Sequence, residues 1–210
     1  DFAVKTTHGS RSLPDRRTLA QGALRLKRDG FDVTFCVVYL WVRNFAEGGV
    51  MATIETPVVL YRENVLPTWI DDNGHMTAAA YLAAFTTAGD AFLDYIGLST
   101  KQMDETGFTS FALSSKITFL RETFEGVPLR FETRLVDLSP KVFHHATAMI
   151  DETDGQLLAV TEYLEACISA ETRRIATMPA ARHQYLTAML AAHQELPDLP
   201  GVGEAIAVRR

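Results

Sequence analysis

Residues 69–97 read WIDDNGHMTAAAYLAAFTTAGDAFLDYIG, a polar turn that runs directly into an uninterrupted helical pattern. Within it Tyr81, Leu82, Phe85, Gly89, Phe92, Leu93 and Ile96 recur at three- and four-residue spacing, which predicts one apolar stripe on a long helix. Thr77 is placed to cap the helix start with its hydroxyl, and Gly97 to end it in a left-handed turn. The helix is rich in small residues, Ala78, Ala79, Ala80, Ala83, Ala84, Ala88 and Gly89, which would let a curved sheet approach its backbone closely. Upstream, Thr56 to Asn64 favours a strand that ends before Pro67. Downstream, four segments alternate with period two: Phe111 to Phe119, Leu129 to Leu135, Val142 to Ala148 and Leu157 to Tyr163. The links between them, at Glu125-Gly126-Val127-Pro128, Ser139-Pro140 and Asp151 to Gly155, carry turn residues and are short enough for antiparallel hairpins, which predicts a meander. Pro179 opens a last helix to about Leu196. Strand, long helix, then four strands is an α+β order: one antiparallel five-stranded sheet wrapped around one helix, plus a C-terminal helix.

Residues 1–50 look like different material from the rest. They carry 8 Lys/Arg against 5 Asp/Glu, whereas residues 51–210 carry 12 against 21. Basic residues precede an apolar run from Phe31 to Val42, but the run is too short to span a bilayer and no small-x-small cleavage site follows. The expected organisation is an extension over 1–50, non-native or disordered, a core domain over 51–178, and a helix with its tail over 179–210. The net charge of −6, without a basic stripe, argues against a nucleic-acid partner, and nothing suggests a membrane. Cys36 and Cys167 stand alone, so a reducing, cytoplasmic setting is expected. The six histidines show no metal-ligand spacing and no Gly-rich nucleotide loop occurs, so neither metal nor cofactor is implied.

The polar turn has a chemistry of its own. A carboxylate before a helix lies near N–H groups that lack intrahelical partners, whose partial positive charge suits an anion formed during acyl transfer. The same Asp-Asp-Asn-Gly string is also what a surface turn looks like.

Asp71-Asp72-Asn73-Gly74-His75-Met76, with Tyr81 one turn into the helix, resembles the segment that precedes the central helix of hotdog-fold acyl-CoA thioesterases, the 4-hydroxybenzoyl-CoA thioesterase-like superfamily. Asn73-Gly74-His75-Met76, Asp90-Ala91-Phe92-Leu93, Tyr95-Ile96-Gly97 and Asp154 to Ala159 are most similar to betainyl-CoA thioesterases, stand-alone or attached to carnitine dehydrogenases. The resemblance implies hydrolysis of a small acyl-CoA, with coenzyme A as part of the substrate, by a homodimer or higher homo-oligomer whose site lies between subunits. It implies Asp71 as general base or nucleophile, Asn73 as a positioning group, and His75 with the amides after Gly74 as holders of the thioester carbonyl. Gly74, Met76, Trp69 and Tyr81 are the expected substrate contacts, the last two as aromatic faces for a cationic acyl group. Two departures from the pattern are Thr77, where relatives often have Asn, and Thr86 and Thr87, where a helix-borne Glu is common. The second departure favours Asp71 over a helix carboxylate. Adjacent His144 and His145 should face opposite sides of a strand, one of them toward a pocket. A carrier-protein thioesterase or a non-catalytic CoA-ester-binding module are the alternatives.

Overall fold

A computed structural model describes residues 54–207 and, within 1–50, the backbone of two short antiparallel strands, β1 (Lys27–Arg28) and β2 (Phe31–Asp32). The remaining expectation for 1–50 lies outside the described residues. Met51–Arg210 forms a compact unit of its own. Its elements are β3 (Val58–Asn64), the central helix α1 (Ala78–Ile96), the one-turn helix α2 (Met103–Thr106), β4 (Phe108–Phe119), β5 (Pro128–Leu138), β6 (Val142–Asp151), β7 (Leu157–Ser169) and α3 (Ala180–His193).

The expected chemistry sets both ends of α1. Thr77 Oγ1 accepts from the Ala80 amide at 3.2 Å, and Gly97 closes the helix at φ 73°, which a residue with a Cβ rarely adopts. The face pressed on the sheet is Ala80, Tyr81, Ala84, Phe85, Ala88, Gly89, Phe92 and Ile96. Leu82, expected on this stripe, is 45% exposed. Gly89 does not serve close approach either, since a Cβ built there would meet nothing within 4 Å. Phe85 packs edge-on against Phe131 at 5.9 Å, and the cluster around them includes Leu129, Met149 and Leu158.

The five strands pair antiparallel in the order β3-β5-β6-β7-β4. Hairpins join β5 to β6 and β6 to β7, as the turn residues predict. The third predicted hairpin does not exist, because β4 pairs with β7 along Phe108↔Ser169 to Phe119↔Ala159 rather than with β5. Residues 120–127 instead cross the end of the sheet, with their backbone groups engaged along the way. Leu120 and Arg121 donate to Leu158 O at 2.9 and 3.0 Å, Gly126 donates to Val65 O at 2.8 Å, and Thr123 O accepts from Met76 at 3.0 Å. The crossing therefore buttresses the turn that precedes α1. The last helix ends at His193, earlier than expected, and a single turn carries the chain to Leu196.

Candidate functional site

The turn before α1 is pinched shut by an antiparallel bridge between Ile70 and Met76. Asp71 N donates to His75 O and Gly74 N to Asp71 O, both at 2.9 Å, while Gly74 supplies the positive φ of 81° that this tight return requires. The Asp71 carboxylate folds back over its own loop. Its Oδ1 accepts from the Asn73 amide at 2.9 Å and the His75 amide at 3.3 Å, and its Oδ2 meets the Asn73 side-chain Nδ2 at 3.4 Å. The His75 N–H, then the Asn73 N–H, hold the Asp71 carboxyl below its ordinary value. A fully ionised carboxylate thus sits exposed on the loop, with Oδ2 the less encumbered oxygen.

His75 is half-buried, edge-on to Phe124 at 5.2 Å, with Nε2 3.3 Å from Glu122 Oε2. Glu122 escaped the sequence reading because only the crossing of 120–127 brings it here. Tyr81 is buried under the loop. Its hydroxyl donates to Arg121 O at 3.0 Å, its ring meets Phe119 edge-on at 5.3 Å, and burial followed by the Glu122 charge pushes its phenol up. Met76 is likewise a core residue, and Trp69, half-buried, packs against the same cluster while its carbonyl accepts from Thr77 N at 2.9 Å. Asp71, Asn73, Gly74 and His75 are thus brought together at the surface, whereas Met76, Trp69 and Tyr81 form the floor beneath them.

The amides after Gly74 differ from the expectation. Those of His75, Met76 and Thr77 donate to Asp71 Oδ1, Thr123 O and Trp69 O, so they are not free to hold a substrate carbonyl. Ala78 and Ala79, in the first helical turn, are the next donors along the chain and have no carbonyl within the helix to reach.

His144 and His145 face opposite sides of β6, as alternation requires. His144 lies on the outer face, 2.9 Å from Glu162, whose other oxygen is 2.5 Å from Lys116. Burial opposes ionisation of Glu162, but bonds from Lys116 and the Gly203 amide outweigh it and leave the carboxyl below its ordinary value. His145 lies on the inner face, where its ring packs against Phe92 of α1 at 5.1 Å and Tyr163 at 5.4 Å.

Residues 65–192 match the family model of the thioesterase-like superfamily. The chain is 34% identical over 157 residues to the betainyl-CoA thioesterase of Pseudomonas aeruginosa, covering 75% of this chain and 94% of that protein. It is 32% identical to the L-carnitine dehydrogenase/betainyl-CoA thioesterase of Agrobacterium fabrum, covering 70% of this chain and 30% of that longer protein. A Staphylococcus aureus protein solved in complex with CoA shares the fold, with a TM-score of 0.66 at 23% identity over 75% of this chain and 100% of that one.

Proposed function

Because the chain belongs to the thioesterase-like superfamily, we propose that the acyl-CoA thioester it hydrolyses is betainyl-CoA, in carnitine and betaine metabolism in the cytoplasm, and that Asp71 carries the chemistry. What supports Asp71 most is its carboxylate, held ionised by two backbone amides at the mouth of the loop beside a helix N-terminus. In the general-base route, Asp71 takes a proton from water as the water oxygen bonds to the thioester carbonyl carbon. The carbonyl oxygen becomes an anion facing the first-turn amides of α1. Collapse re-forms the carbonyl and expels sulfur as the coenzyme A thiolate, which takes up the proton from Asp71; the carboxylic acid so formed gives its own proton to solvent, and betaine leaves as its carboxylate. In the nucleophilic route an Asp71 oxygen bonds the same carbon and the C–S bond breaks, releasing the coenzyme A thiolate; water then opens the mixed anhydride, which frees betaine as its carboxylate, restores the Asp71 carboxylate and gives one proton to the thiolate and one to solvent. Both routes start from the ionised carboxylate. His75, leaning on Glu122, and Asn73 keep it oriented.

The active form is proposed to be a homodimer joined along β4. This strand is the sheet edge that offers apolar side chains, with Phe111 64% and Leu113 46% exposed. The other edge, β3, offers less, with Leu60 39% exposed, and carries the charges of Arg62 and Glu63.

A panel of acyl-CoA esters that includes betainyl-CoA, followed by thiol release, tests the reading with native chain and Asp71→Ala. Native turnover of betainyl-CoA and a loss of about 100-fold or more in the variant are expected, the lower end of what a positioned acid or base supplies. Equal rates in the two proteins would remove Asp71 from the chemistry. Binding of CoA esters without turnover would make the protein a binding module, and turnover confined to long-chain esters would exclude betainyl-CoA.

A further inference from the structure

Away from the loop, a cavity of about 470 Å3 opens between α1 and the inner face of β4, β6 and β7. Its wall holds Gly89 and Asp90 from the helix, His145 from β6, and Tyr163 and Glu165 from β7. Two observations mark it as a place for a polar guest. His145 is 1% exposed and, among the described residues, neither ring nitrogen has a hydrogen-bond partner; Glu165 Oε1 lies 3.7 Å from Nε2. Ser99 Oγ, on the same wall and also buried, lacks a partner as well. Unpartnered lone pairs on a buried wall favour a guest that brings positive charge over a neutral hydrocarbon.

Charge and shape narrow the class. Among the described residues the one lysine on the wall, Lys101, is answered by Asp94 at 2.5 Å, which leaves Asp90 and Glu165 as negative excess. The Tyr163 ring, stacked on His145 at an interplanar angle of 17°, supplies an aromatic face. A quaternary ammonium matches this wall. It has no N–H to satisfy, its charge is spread over methyl C–H groups that can rest against carboxylate, hydroxyl and ring-nitrogen lone pairs, and it is attracted by an aromatic face. Gly89 provides the room, since none of the described residues comes within 4 Å of where its Cβ would be.

We infer that this cavity, through Glu165, Asp90 and Tyr163, holds the cationic end of the acyl group, an assignment that rests on the betainyl-CoA reading. A geometric consequence follows. In betainyl-CoA the nitrogen is two bonds, about 2.5 Å, from the carbonyl carbon. Within one chain Thr77 and Asp90 lie 13 helical residues apart, roughly 20 Å along the axis. The Asp71 loop of a chain therefore cannot serve its own cavity. A two-fold axis beside β4 runs the two copies of α1 antiparallel and carries the loop of one copy toward the C-terminal half of the helix of the other. The loop of one subunit then works on an acyl group held by its partner, which is the between-subunit site that the family resemblance implies.

The test compares betainyl-CoA with its neutral isostere, 3,3-dimethylbutanoyl-CoA, in full-length native chain, Glu165→Gln and Gly89→Leu. Native chain should prefer the charged ester at least tenfold in kcat/KM. Glu165→Gln should lose that preference by lowering the charged ester alone, and Gly89→Leu, which fills the cavity with a better helix former, should lose both esters. If Glu165→Gln fails to fold, Asp90→Asn on the exposed helix face takes its place with the same expectation. A native preference unmoved by these charge variants, or Gly89→Leu with native rates, would overturn the cavity assignment while the betainyl-CoA reading stands. No native preference for the charged ester would overturn the substrate reading and the cavity with it.

Discussion

Asp71 does structural work that has to be separated from chemical work. Its Oδ1 organises the turn by accepting two backbone amides, and an asparagine keeps an oxygen for that purpose. Asp71→Asn should therefore fold like the native chain, with a thermal midpoint within a few degrees, yet lose on the order of 100-fold in kcat/KM because the charge is gone. Retention of activity within threefold would leave Asp71 as a turn former only. The pH dependence has a definite sign. The folded-state value lies below the ordinary 3.8, so the ionised form and the stability it adds are present above pH 3.8 and are lost as pH falls through the lower folded value. Asp71, Asn73 and His75 are legible in the sequence because they are contiguous and a short loop must bring them together. Glu122 is not, because it reaches His75 only through a long-range crossing. His145 lies between these cases: alternation separates it from His144, but which one faces the cavity depends on where Phe92 of α1 packs.

At the level of elements, local chemistry was readable wherever one residue fixes a backbone conformation, as Thr77 and Gly97 do for α1. The β4–β5 link is not legible in the sequence, because a short Gly-Pro segment permits a hairpin without requiring one. What decides is that β7 can pair with β4 over its whole length while residues 120–127 find partners in Leu158, Val65 and Met76. The docking of α3 depends on a residue that no periodicity singles out. His193 is buried, its Nδ1 accepts from Leu135 N at 2.8 Å, and its Nε2 donates to Glu55 O at 3.0 Å, so the ring is neutral with its proton on Nε2. Burial depresses its pKa below 6.5, and protonation would set a second N–H against the Leu135 amide. The stability it contributes is thus complete above pH 6.5 and declines as pH falls through the folded value. His193→Gln retains one acceptor and one donor but does not titrate. Denaturant unfolding between pH 7 and 5 should show a stability loss in the native chain that is smaller in the variant; equal slopes would mean that His193 does not govern acid sensitivity.

For the whole molecule, the question is why the loop and the cavity should lie on one chain yet so far apart. The long helix separates them, and in the homodimer we propose a two-fold relation turns that separation into proximity, because whatever is distant along one helix is close across an antiparallel pair. This arrangement makes a demand that neither a monomer nor a site within one subunit can meet. Asp71→Ala lacks the carboxylate but keeps an open cavity, and Gly89→Leu keeps the carboxylate but has the cavity filled. Each homodimer should be close to inactive. In a heterodimer of the two, one site combines the intact loop of one copy with the intact cavity of the other, and the second site is doubly defective. Random pairing at equal amounts makes half the dimers mixed, so coexpression should restore about a quarter of native activity. A site formed within one subunit predicts no recovery above the mean of the two variants. Sedimentation of the same samples shows whether the recovered activity travels with the dimer, and recovery in a monomer fraction would refute the shared site.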